Sequence, residues 1–363
     1  MHFKSFGDLA RDIAKNLARV PLDVDLIVGI PRSGMMAASM LALMLNKKFC
    51  DVASFLENRS LQHGRTRLPC NGDLAYPLQA RTVLILDDSV DSGASIRSVL
   101  AELEPLREGR RFISAAIYAS KLGVGAVDLY FEQVEMPRVF AWNLFHRNEL
   151  AQCCVDIDGV LCNDPTHEEN DDGPRYLRFL ESATPLARPT YRIGHLVTSR
   201  LEKYRELTER WLDAHGIQFN ALHMLDLPSA AERRRRNCHA DFKARVYRSI
   251  DTATLFIESD PGQAVEIARL SGKPVLDYTS QRLASPVWNA ALLAESYSTL
   301  RRRITNRLKL GFSSLSRVAT ADSPLQAAQL QQLRPHPIRE TRHDDEKTQQ
   351  PQSRARREHE IER

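Results

Sequence analysis

The feature that most constrains the fold of this chain is the segment 82–96, TVLILDDSVDSGASI. An apolar run at 83–86 ends in the acidic pair Asp87 and Asp88, and a turn of small residues and a helical pattern follow. This order predicts a buried strand that delivers two carboxylates and a loop to the carboxyl edge of a sheet, where ligands sit in open α/β folds. The carboxylates suit ribose hydroxyls or bound Mg²⁺, and the loop N–H groups beside a helix start suit a phosphate.

Short apolar runs alternate with helical periodicity from the start of the chain to about residue 280. The predicted strands are 25–30, 49–55, 83–87, 112–119, 128–134, 153–157, 195–198, 221–225, 254–258 and 274–278. The predicted helices include 6–19, 34–45, 94–103, 201–215, 240–248 and 262–270. Such alternation predicts parallel sheets with helices on both faces. We therefore expect an α/β fold with two doubly wound parallel-sheet domains, at residues 1–150 and 151–285.

The pattern changes after about residue 285. Residues 286–313 carry apolar side chains at helical spacing among arginines and lysines, which predicts a basic amphipathic helix. Such a helix packs back on a domain, binds a partner or lies on a membrane. Residues 314–363 are rich in Gln, Arg, Pro and Glu, which predicts a disordered tail.

Composition narrows the class of protein. The net charge of +4 in 363 residues is too mild to argue for a nucleic-acid partner. Because no apolar stretch approaches 18 residues, we expect no membrane span, and the N-terminal segment has the pattern of an amphipathic helix rather than a signal peptide. The six cysteines form no CxxC pairs, so we expect reduced thiols in a cytoplasmic protein.

Two further segments accompany the acidic strand. The first is a strand that runs into a tight Pro-Arg-Ser-Gly turn at 31–34, which offers N–H groups and Arg32 to a second anion. The second is the long connection 57–80, which contains Arg59, Arg65 and Arg67 and is interpreted as a mobile lid. Together these segments suggest a sugar with a monophosphate at one end and a diphosphate at the other.

The run at 87–95, Asp-Asp-x-x-Asp-Ser-Gly-x-Ser, resembles the phosphoribosyl-diphosphate signature of the type I phosphoribosyltransferase family, and 29–34 resembles its diphosphate loop. The resemblance covers about residues 1–150. It implies that Asp87 and Asp88 hold the ribose hydroxyls and Mg²⁺, directly or through water. It also implies two phosphate sites, a 5-phosphate site made by Ser92, Gly93, Ala94 and Ser95 and a diphosphate site made by Arg32, Ser33 and Gly34.

The resemblance extends to the acceptor base. Asp91, an anion inside a phosphate loop, stands where purine-type members of the family have an Asp that handles a proton on a base nitrogen. Lys121 is placed like the lysine that those members direct at a base oxygen, and Phe140 and Trp142 like their base-stacking aromatics. The lid has no Ser-Tyr pair of the kind that many purine members carry. A purine-like base is therefore favoured only slightly over a pyrimidine or an unusual acceptor.

A second acidic strand end occurs at 153–162, CCVDIDGVLC. The carboxylates of Asp156 and Asp158 can share a cation, with one acting as nucleophile and the other as acid and base. Downstream, a strand ends in the hydroxyls of Thr198 and Ser199. Further potential site residues then follow in chain order, namely Lys243 in a helical pattern and the strand-end acids Glu258 and Asp260.

These four segments resemble the motifs of the haloacid dehalogenase (HAD) superfamily of phosphatases, over about residues 151–283. The resemblance implies that Asp156 takes the phosphoryl group and that Asp158 protonates the leaving oxygen. Thr198, Ser199 and Lys243 would bind phosphate. The Mg²⁺ ligands would come from Asp156, Asp158, Glu258 and Asp260, although this Glu-Ser-Asp departs from the Asp residues that are usual in the last motif.

The leading hypothesis is a bifunctional enzyme with small-molecule substrates: phosphoribosyl transfer to or from a base, followed by hydrolysis of a phosphate ester. The alternative is a regulatory protein that binds nucleotide or phosphoribosyl diphosphate without turnover. A nucleic-acid-binding protein is the weakest hypothesis, because the arginine-containing tail lacks aromatic residues. The sequence leaves open whether the chain forms a homodimer.

Overall fold

The computed structural model describes residues 1–62 and 74–285, all within one compact unit. Part of the predicted lid, including Arg65 and Arg67, lies outside the described residues, as do the predicted helix 286–313 and tail 314–363. None of the described helices is long and apolar enough to cross a bilayer. The described cysteines form no disulfides, in agreement with the prediction of reduced thiols.

The first half of the described chain is built around a five-stranded parallel sheet with the order β3-β2-β4-β5-β6. Its elements are β1 (His2–Lys4), α1 (Phe6–Lys15), β2 (Leu26–Gly29), α2 (Ser33–Leu45), β3 (Lys48–Asp51), α3 (Val52–Leu56), β4 (Thr82–Val90), α4 (Ala94–Leu103), β5 (Arg111–Ala119), β6 (Leu129–Gln133) and β7 (Arg138–Phe140). The central strand β4 begins with consecutive buried residues, as expected for a parallel strand covered on both faces. A separate two-stranded parallel sheet pairs β1 with β7.

The second half is built around a six-stranded sheet with the order β10-β9-β8-β11-β12-β13. Its elements are β8 (Cys153–Val155), α5 (Pro174–Ser182), β9 (Ile193–Leu201), α6 (Arg205–Ala214), β10 (Phe219–Leu225), α7 (Ala230–Arg236), α8 (His239–Ser249), β11 (Leu255–Glu258), α9 (Pro261–Ser271), β12 (Val275–Asp277) and β13 (Arg282–Ala284). All pairs are parallel except β12 with β13. Because β8 lies between β9 and β11, the three strands that the sequence predicts to end in site residues reach the same edge of the sheet.

Most predicted elements occur within a few residues of their expected bounds, and helix 94–103 is confirmed as Ala94–Leu103. The strand prediction at 49–55 is wrong in its second part. The side chain of Asp51 accepts a hydrogen bond from the Ser54 N–H, and this N-cap starts α3 directly after β3. The predicted helix 6–19 ends early, at Lys15, with a 3₁₀ turn after it.

The segment between the two sheets packs with the second one. Leu144, Phe145 and Leu150 belong to the same buried cluster as Val155 and Ile157 of the second half. The division at residue 150 remains a prediction, but the apolar side chains just before it contribute to the core that supports the second acidic edge.

Candidate active sites at two sheet edges

The first candidate site forms where β4 leaves the core. The Asp88 carboxylate is 5% exposed, and its Oδ2 accepts a hydrogen bond of 2.7 Å from Trp142 Nε1. Asp87 Oδ1 accepts the N–H of Asp88 at 2.8 Å. Burial, followed by the negative charge of Asp88, raises the pKa of Asp87 to about 8. Two adjacent carboxylates thus share one partly desolvated strand end.

The small-residue loop adjoins this strand end, as expected from the sequence. Gly93 has a φ of +75°, and a Cβ at this position would lie 2.5 Å from the Ala126 Cβ, so the turn requires glycine. Helix α4 begins at the next residue, and Ser92, Ala94 and Ser95 are exposed. This exposed loop at a helix start is available to an anion.

The Pro-Arg-Ser-Gly turn packs against the same strand. The Pro31–Arg32 peptide bond is cis, Arg32 is exposed, and Ser33 starts α2. A Cβ on Gly34 would lie 2.8 Å from the Leu86 carbonyl oxygen and 3.0 Å from Asp87 Oδ1. Glycine therefore lets the turn approach the acidic pair closely. Since the loop directly follows β4, the turn, the acidic pair and the loop lie at one edge of the sheet.

The predicted base-binding residues occupy different environments. Asp91 Oδ1 accepts a hydrogen bond of 2.6 Å from Ser120 Oγ, and Lys121 is exposed. Phe140 is only 4% exposed and stacks against both Tyr118 and Trp142, at ring-centre distances of 5.5 and 4.8 Å. Phe140 therefore has a core position. Base contacts by Asp91, Lys121, Phe140 and Trp142 remain predictions.

Sequence reasoning missed Arg138 beside this site. Its buried guanidinium donates to the carbonyl oxygens of Val134, at 3.2 Å, and Val90, at 3.0 Å, directly before Asp91. Burial lowers the pKa of Arg138, and the charges of Asp91 and Asp88 oppose this shift. An arginine next to a cis Met136–Pro137 peptide gives no sequence signal of its role.

The second candidate site forms at the carboxyl ends of β8 and β11. The Lys243 ammonium group, 2% exposed, donates to Asp156 Oδ2 at 2.6 Å, Glu258 Oε2 at 2.7 Å and Gln263 Oε1 at 3.1 Å. Burial raises the pKa of Asp156, and burial followed by the charge of Asp156 raises the pKa of Glu258 to about 8. Burial opposes the charge on Lys243, but the two acids outweigh it and raise its pKa.

The other predicted acid, Asp158, has a different partner. Arg200 is fully buried, and its Nη2 donates to Asp158 Oδ1 at 2.6 Å while its Nε lies 3.2 Å from both carboxylate oxygens. Arg200 also contacts Thr208 Oγ1 at 3.4 Å and Cys162 Sγ at 3.3 Å. Arg200 directly follows Thr198 and Ser199 in the chain, and sequence reasoning did not assign it this role.

The predicted phosphate-binding hydroxyls lie at the adjacent end of β9. Thr198 is buried, and its Oγ1 accepts the N–H of Arg200 at 3.2 Å. Ser199 Oγ is buried and has no hydrogen-bond partner among the residues described, while the Ser199 carbonyl accepts a bond of 2.7 Å from Arg233 Nη1. Sequence reasoning missed Arg233, which is the first of four consecutive arginines on α7 and is buried at the site.

Two further acids, Asp260 and Asp164, lie near this site. Asp260 Oδ1 accepts the N–H of Gln263 at 2.8 Å, so this predicted metal ligand serves as the N-cap of α9. Sequence reasoning missed Asp164, whose Oδ2 would lie 2.9 Å from a Cβ on Gly159. Burial, with the charges of Asp158 and Asp156, raises the pKa of Asp164.

The two edges differ in how well they suit Mg²⁺. Among residues 1–62 and 74–285, no group of three or more His, Cys, Asp or Glu side chains has an arrangement that holds a metal ion. Asp87 and Asp88 fit a hard cation by their donor chemistry, because both present carboxylate oxygens at one strand end. At the second edge, Lys243 already neutralises Asp156 and Glu258, so this pair of acids suits a metal cation less well than Asp87 and Asp88 do.

The comparisons with known proteins bear on the first half. Residues 2–147 match a family model described as phosphoribosyl transferase domain. This match includes the acidic pair, the small-residue loop and the Pro-Arg-Ser-Gly turn. It ends before Asp156, so the HAD resemblance of residues 151–283 remains a prediction. No curated protein matches the chain.

Similar solved structures include xanthine-guanine-hypoxanthine phosphoribosyltransferase of Helicobacter pylori, which has 20% identity, a TM-score of 0.29 and coverage of 39% of this chain and 92% of its own. Purine phosphoribosyltransferase of Pyrococcus horikoshii has 22% identity, a TM-score of 0.29 and coverage of 39% and 92%. Adenine phosphoribosyltransferase of Rhodothermus marinus has 18% identity, a TM-score of 0.25 and coverage of 36% and 81%. At these TM-scores the similarities carry no argument about activity.

Proposed function

We propose that the first half of the chain transfers a phosphoribosyl group between phosphoribosyl diphosphate and a nitrogenous base, with a purine-like base slightly favoured and with Mg²⁺. The observation that carries this proposal is the meeting of the acidic pair Asp87 and Asp88, the loop 92–95 and the turn at Gly34 on one sheet edge. The family model that matches residues 2–147 supports it independently.

The residues of this edge have separate tasks in the proposed reaction. The N–H groups at the start of α4 bind the 5-phosphate, and the turn containing Arg32 binds the diphosphate. Asp87 and Asp88 orient the ribose and would hold Mg²⁺, which neutralises the leaving diphosphate when bound. Donors fixed around the leaving group stabilise the charge that develops as the bond to the sugar carbon breaks.

We further propose that the second half acts on phosphate groups, with Asp156 as nucleophile and with Thr198, Ser199 and Lys243 as phosphate-binding groups. The support is geometric, because Lys243 and Asp156 form a buried ion pair at the end of β8, and the neighbouring strand β9 carries Thr198 and the unpartnered hydroxyl of Ser199. The Mg²⁺ ligands that the HAD resemblance implies are Asp156, Asp158, Glu258 and Asp260, but Lys243 and Arg200 already pair with three of them, so no step of this proposal is assigned to Mg²⁺.

The test uses the full chain with phosphoribosyl diphosphate, Mg²⁺ and a panel of purine and pyrimidine bases. We expect base-dependent release of diphosphate, followed by release of inorganic phosphate. Asp156→Asn should abolish only the second release, because Asp156 belongs to the other sheet edge. If that release is unchanged in the Asp156→Asn variant, the proposed phosphate chemistry of the second half is wrong.

A ligand-sensing function is the second candidate, and one observation favours it. At the second edge, Lys243 and Arg200 already pair with the acids that catalysis would use. Tight binding of phosphoribosyl diphosphate or a nucleotide, with no product from any base, would support this alternative over catalysis. Neither candidate function requires a nucleic acid or a homodimer.

A further inference from the structure

The buried ion pair between Arg200 and Asp158 bears on the substrate class of the second site. Arg200 has no solvent exposure, and the Asp158 side chain is 19% exposed. Both carboxylate oxygens accept bonds from the guanidinium group, and Cys162 Sγ also donates to Oδ1, at 3.4 Å. The oxygens of Asp158 are thus directed at Arg200 and are engaged there.

The surroundings of Arg200 hold the guanidinium in this position. Thr208 on α6 accepts a bond of 3.4 Å from Nη1, and the ring of Phe179 on α5 lies 5.9 Å from the guanidinium carbon. Turning Asp158 away would leave a fully buried cation without its counter-charge, which is strongly unfavourable. Asp158 is therefore poorly placed to give a proton to a leaving oxygen, the role that the HAD resemblance implies.

We propose that the second site acts on anhydrides of phosphoric acid, either acyl phosphates or diphosphate groups, rather than on phosphate esters of alcohols. An alkoxide needs a proton as it leaves, and a general acid contributes about 10²–10⁴-fold to such a step. A carboxylate leaving group has a pKa of about 4. The HPO₄²⁻ that leaves a singly protonated diphosphate has a conjugate acid with a pKa of about 6, so each departs as a stable anion without a proton from Asp158. This inference rests on the proposed phosphate chemistry of Asp156.

The reaction balances without a proton from Asp158. An Asp156 oxygen attacks phosphorus, the bond from phosphorus to the bridging oxygen breaks, and its electron pair leaves with the carboxylate anion or, from a singly protonated diphosphate, with HPO₄²⁻. Water then attacks the aspartyl phosphate, the Asp156 carboxylate is released, and both protons of the water stay on the product as H₂PO₄⁻. Lys243, at 2.6 Å from Asp156 Oδ2, balances the charge of that carboxylate.

The anhydride class also fits the first half of the chain. Under the proposed function, phosphoribosyl transfer to a base releases diphosphate, which is itself an anhydride of phosphoric acid. Its hydrolysis at the second site would make the reversible first reaction proceed toward nucleotide. An acyl phosphate substrate would instead have to come from a reaction other than phosphoribosyl transfer. Diphosphate and an acyl phosphate are therefore assayed separately.

The test measures phosphate release by the full chain in Mg²⁺ buffer from four compounds: acetyl phosphate, inorganic diphosphate, ribose 5-phosphate and adenosine monophosphate. We expect kcat/KM for acetyl phosphate or diphosphate to exceed that for both monoesters by about 100-fold or more. Which anhydride is preferred identifies the source. Monoester hydrolysis within about tenfold of the better anhydride would overturn the inference.

A variant tests the role of Arg200 as a positioning residue. Lysine keeps the charge but cannot engage both oxygens of Asp158, so Arg200→Lys should raise the ratio of monoester to anhydride hydrolysis by about tenfold or more. The more exposed Arg205, which pairs with Glu202 and Glu209, provides the control, because Arg205→Lys should leave the ratio unchanged. An unchanged ratio in a folded Arg200→Lys protein contradicts the inference, and if this variant does not fold, the wild-type ratio decides.

The assay separates failure of this inference from failure of the proposed function. Phosphate release that Asp156→Asn abolishes, but that is equally fast from monoesters and anhydrides, contradicts only the anhydride preference. No phosphate from any of the four compounds, or release that Asp156→Asn leaves intact, contradicts the proposed chemistry of the second half and the inference with it.

Discussion

At the scale of single residues, Trp142 connects an aromatic stack to one carboxylate of the first site. Its ring stacks on Phe140 and meets Phe6 edge-on, at 5.9 Å. Its indole N–H donates to Asp88 at 2.7 Å. Trp142 therefore orients the Asp88 carboxylate, which is proposed to hold the ribose. This role does not depend on whether Trp142 also stacks on a base.

Replacing Trp142 with phenylalanine should separate these two roles. Trp142→Phe keeps an aromatic ring but removes the donor, and a hydrogen bond to a charged group contributes about 1.5–3 kcal/mol. We expect phosphoribosyl diphosphate to bind about tenfold more weakly, as measured by calorimetry, and the Tm to fall because the buried Asp88 carboxylate loses its donor. Phe6→Leu is the matched control, since it alters the ring contact and leaves the bond to Asp88. Equal affinity in wild type and Trp142→Phe would refute the positioning role.

Gly34 gives a second prediction at this scale. A methyl group at this position would meet the Leu86 carbonyl at 2.8 Å, a backbone atom that cannot turn away. Gly34→Ala should therefore cost about 1–3 kcal/mol of unfolding free energy and weaken phosphoribosyl diphosphate binding. Gly125 is the control, because a Cβ there meets nothing within 4 Å. Similar denaturant midpoints for the two variants would contradict the close packing of the turn on β4.

At the scale of secondary-structure elements, the end of β4 should make ligand binding depend on pH. The raised pKa of Asp87, about 8, means that the folded protein keeps a proton there at neutral pH. Binding of Mg²⁺ and phosphoribosyl diphosphate needs the carboxylate, so it must release that proton. We expect affinity to rise up to about tenfold per pH unit from pH 6.5 to about 8 and then level off, as followed by titration calorimetry. Asp87→Asn should weaken binding and remove this dependence, and a wild-type profile that is flat over this range would contradict the prediction.

Helix α8 places Lys243 between two acids, which predicts a strong effect on stability. Lys243→Met leaves Asp156 and Glu258 buried without a cation, at a cost of about 3–5 kcal/mol at pH 7. Burial raises the pKa of both acids, to about 8 for Glu258, so protonation relieves this cost as the pH falls, and the difference from wild type should be largest above pH 8 and smallest at pH 5.

The same helix offers the control for Lys243. Arg245 forms an exposed pair with Asp241, so Arg245→Met should change the unfolding free energy by about 1 kcal/mol or less. Urea unfolding at pH 7 and pH 5 measures both variants. A Lys243→Met protein that is as stable as Arg245→Met at pH 7 would show that the buried pair does not form.

The sequence predicted the secondary-structure elements better than the hydrogen-bond and ion-pair partners of the site residues. The strand with Asp87, the helix at 94–103 and the location of Lys243 all follow from local patterns of apolar and polar residues. The partners do not, since no local pattern shows that Arg200 reaches Asp158 or that Trp142 reaches Asp88. These contacts join segments far apart in the chain and depend on how helices and sheets pack.

At the scale of the whole molecule, the apolar side chains before residue 150 join the core of the second sheet. Phe145 is buried in that core and meets Tyr278 edge-on, at 5.7 Å. Phe145→Ala should lower the unfolding free energy by about 3–5 kcal/mol. Leu22→Ala is the control, because Leu22 is 97% exposed.

Phe145 precedes the predicted boundary at residue 150, but its side chain packs in the core of the second sheet. Because that sheet carries the proposed phosphate site, Phe145→Ala should also make phosphate release more sensitive to heat. The comparison is the temperature at which each variant loses half of its phosphate release. The same temperature for Phe145→Ala and wild type would contradict the shared core. Both measurements use the full chain, so they test packing across residue 150 without dividing it.

The most direct test of the central claim is base-dependent release of diphosphate from phosphoribosyl diphosphate by the full chain. The account predicts release by the wild type with at least one purine or pyrimidine base, and a loss of at least about 100-fold when Asp87 and Asp88 are both changed to Asn. No release by a wild-type protein saturated with phosphoribosyl diphosphate, or equal rates in the double variant, would contradict it.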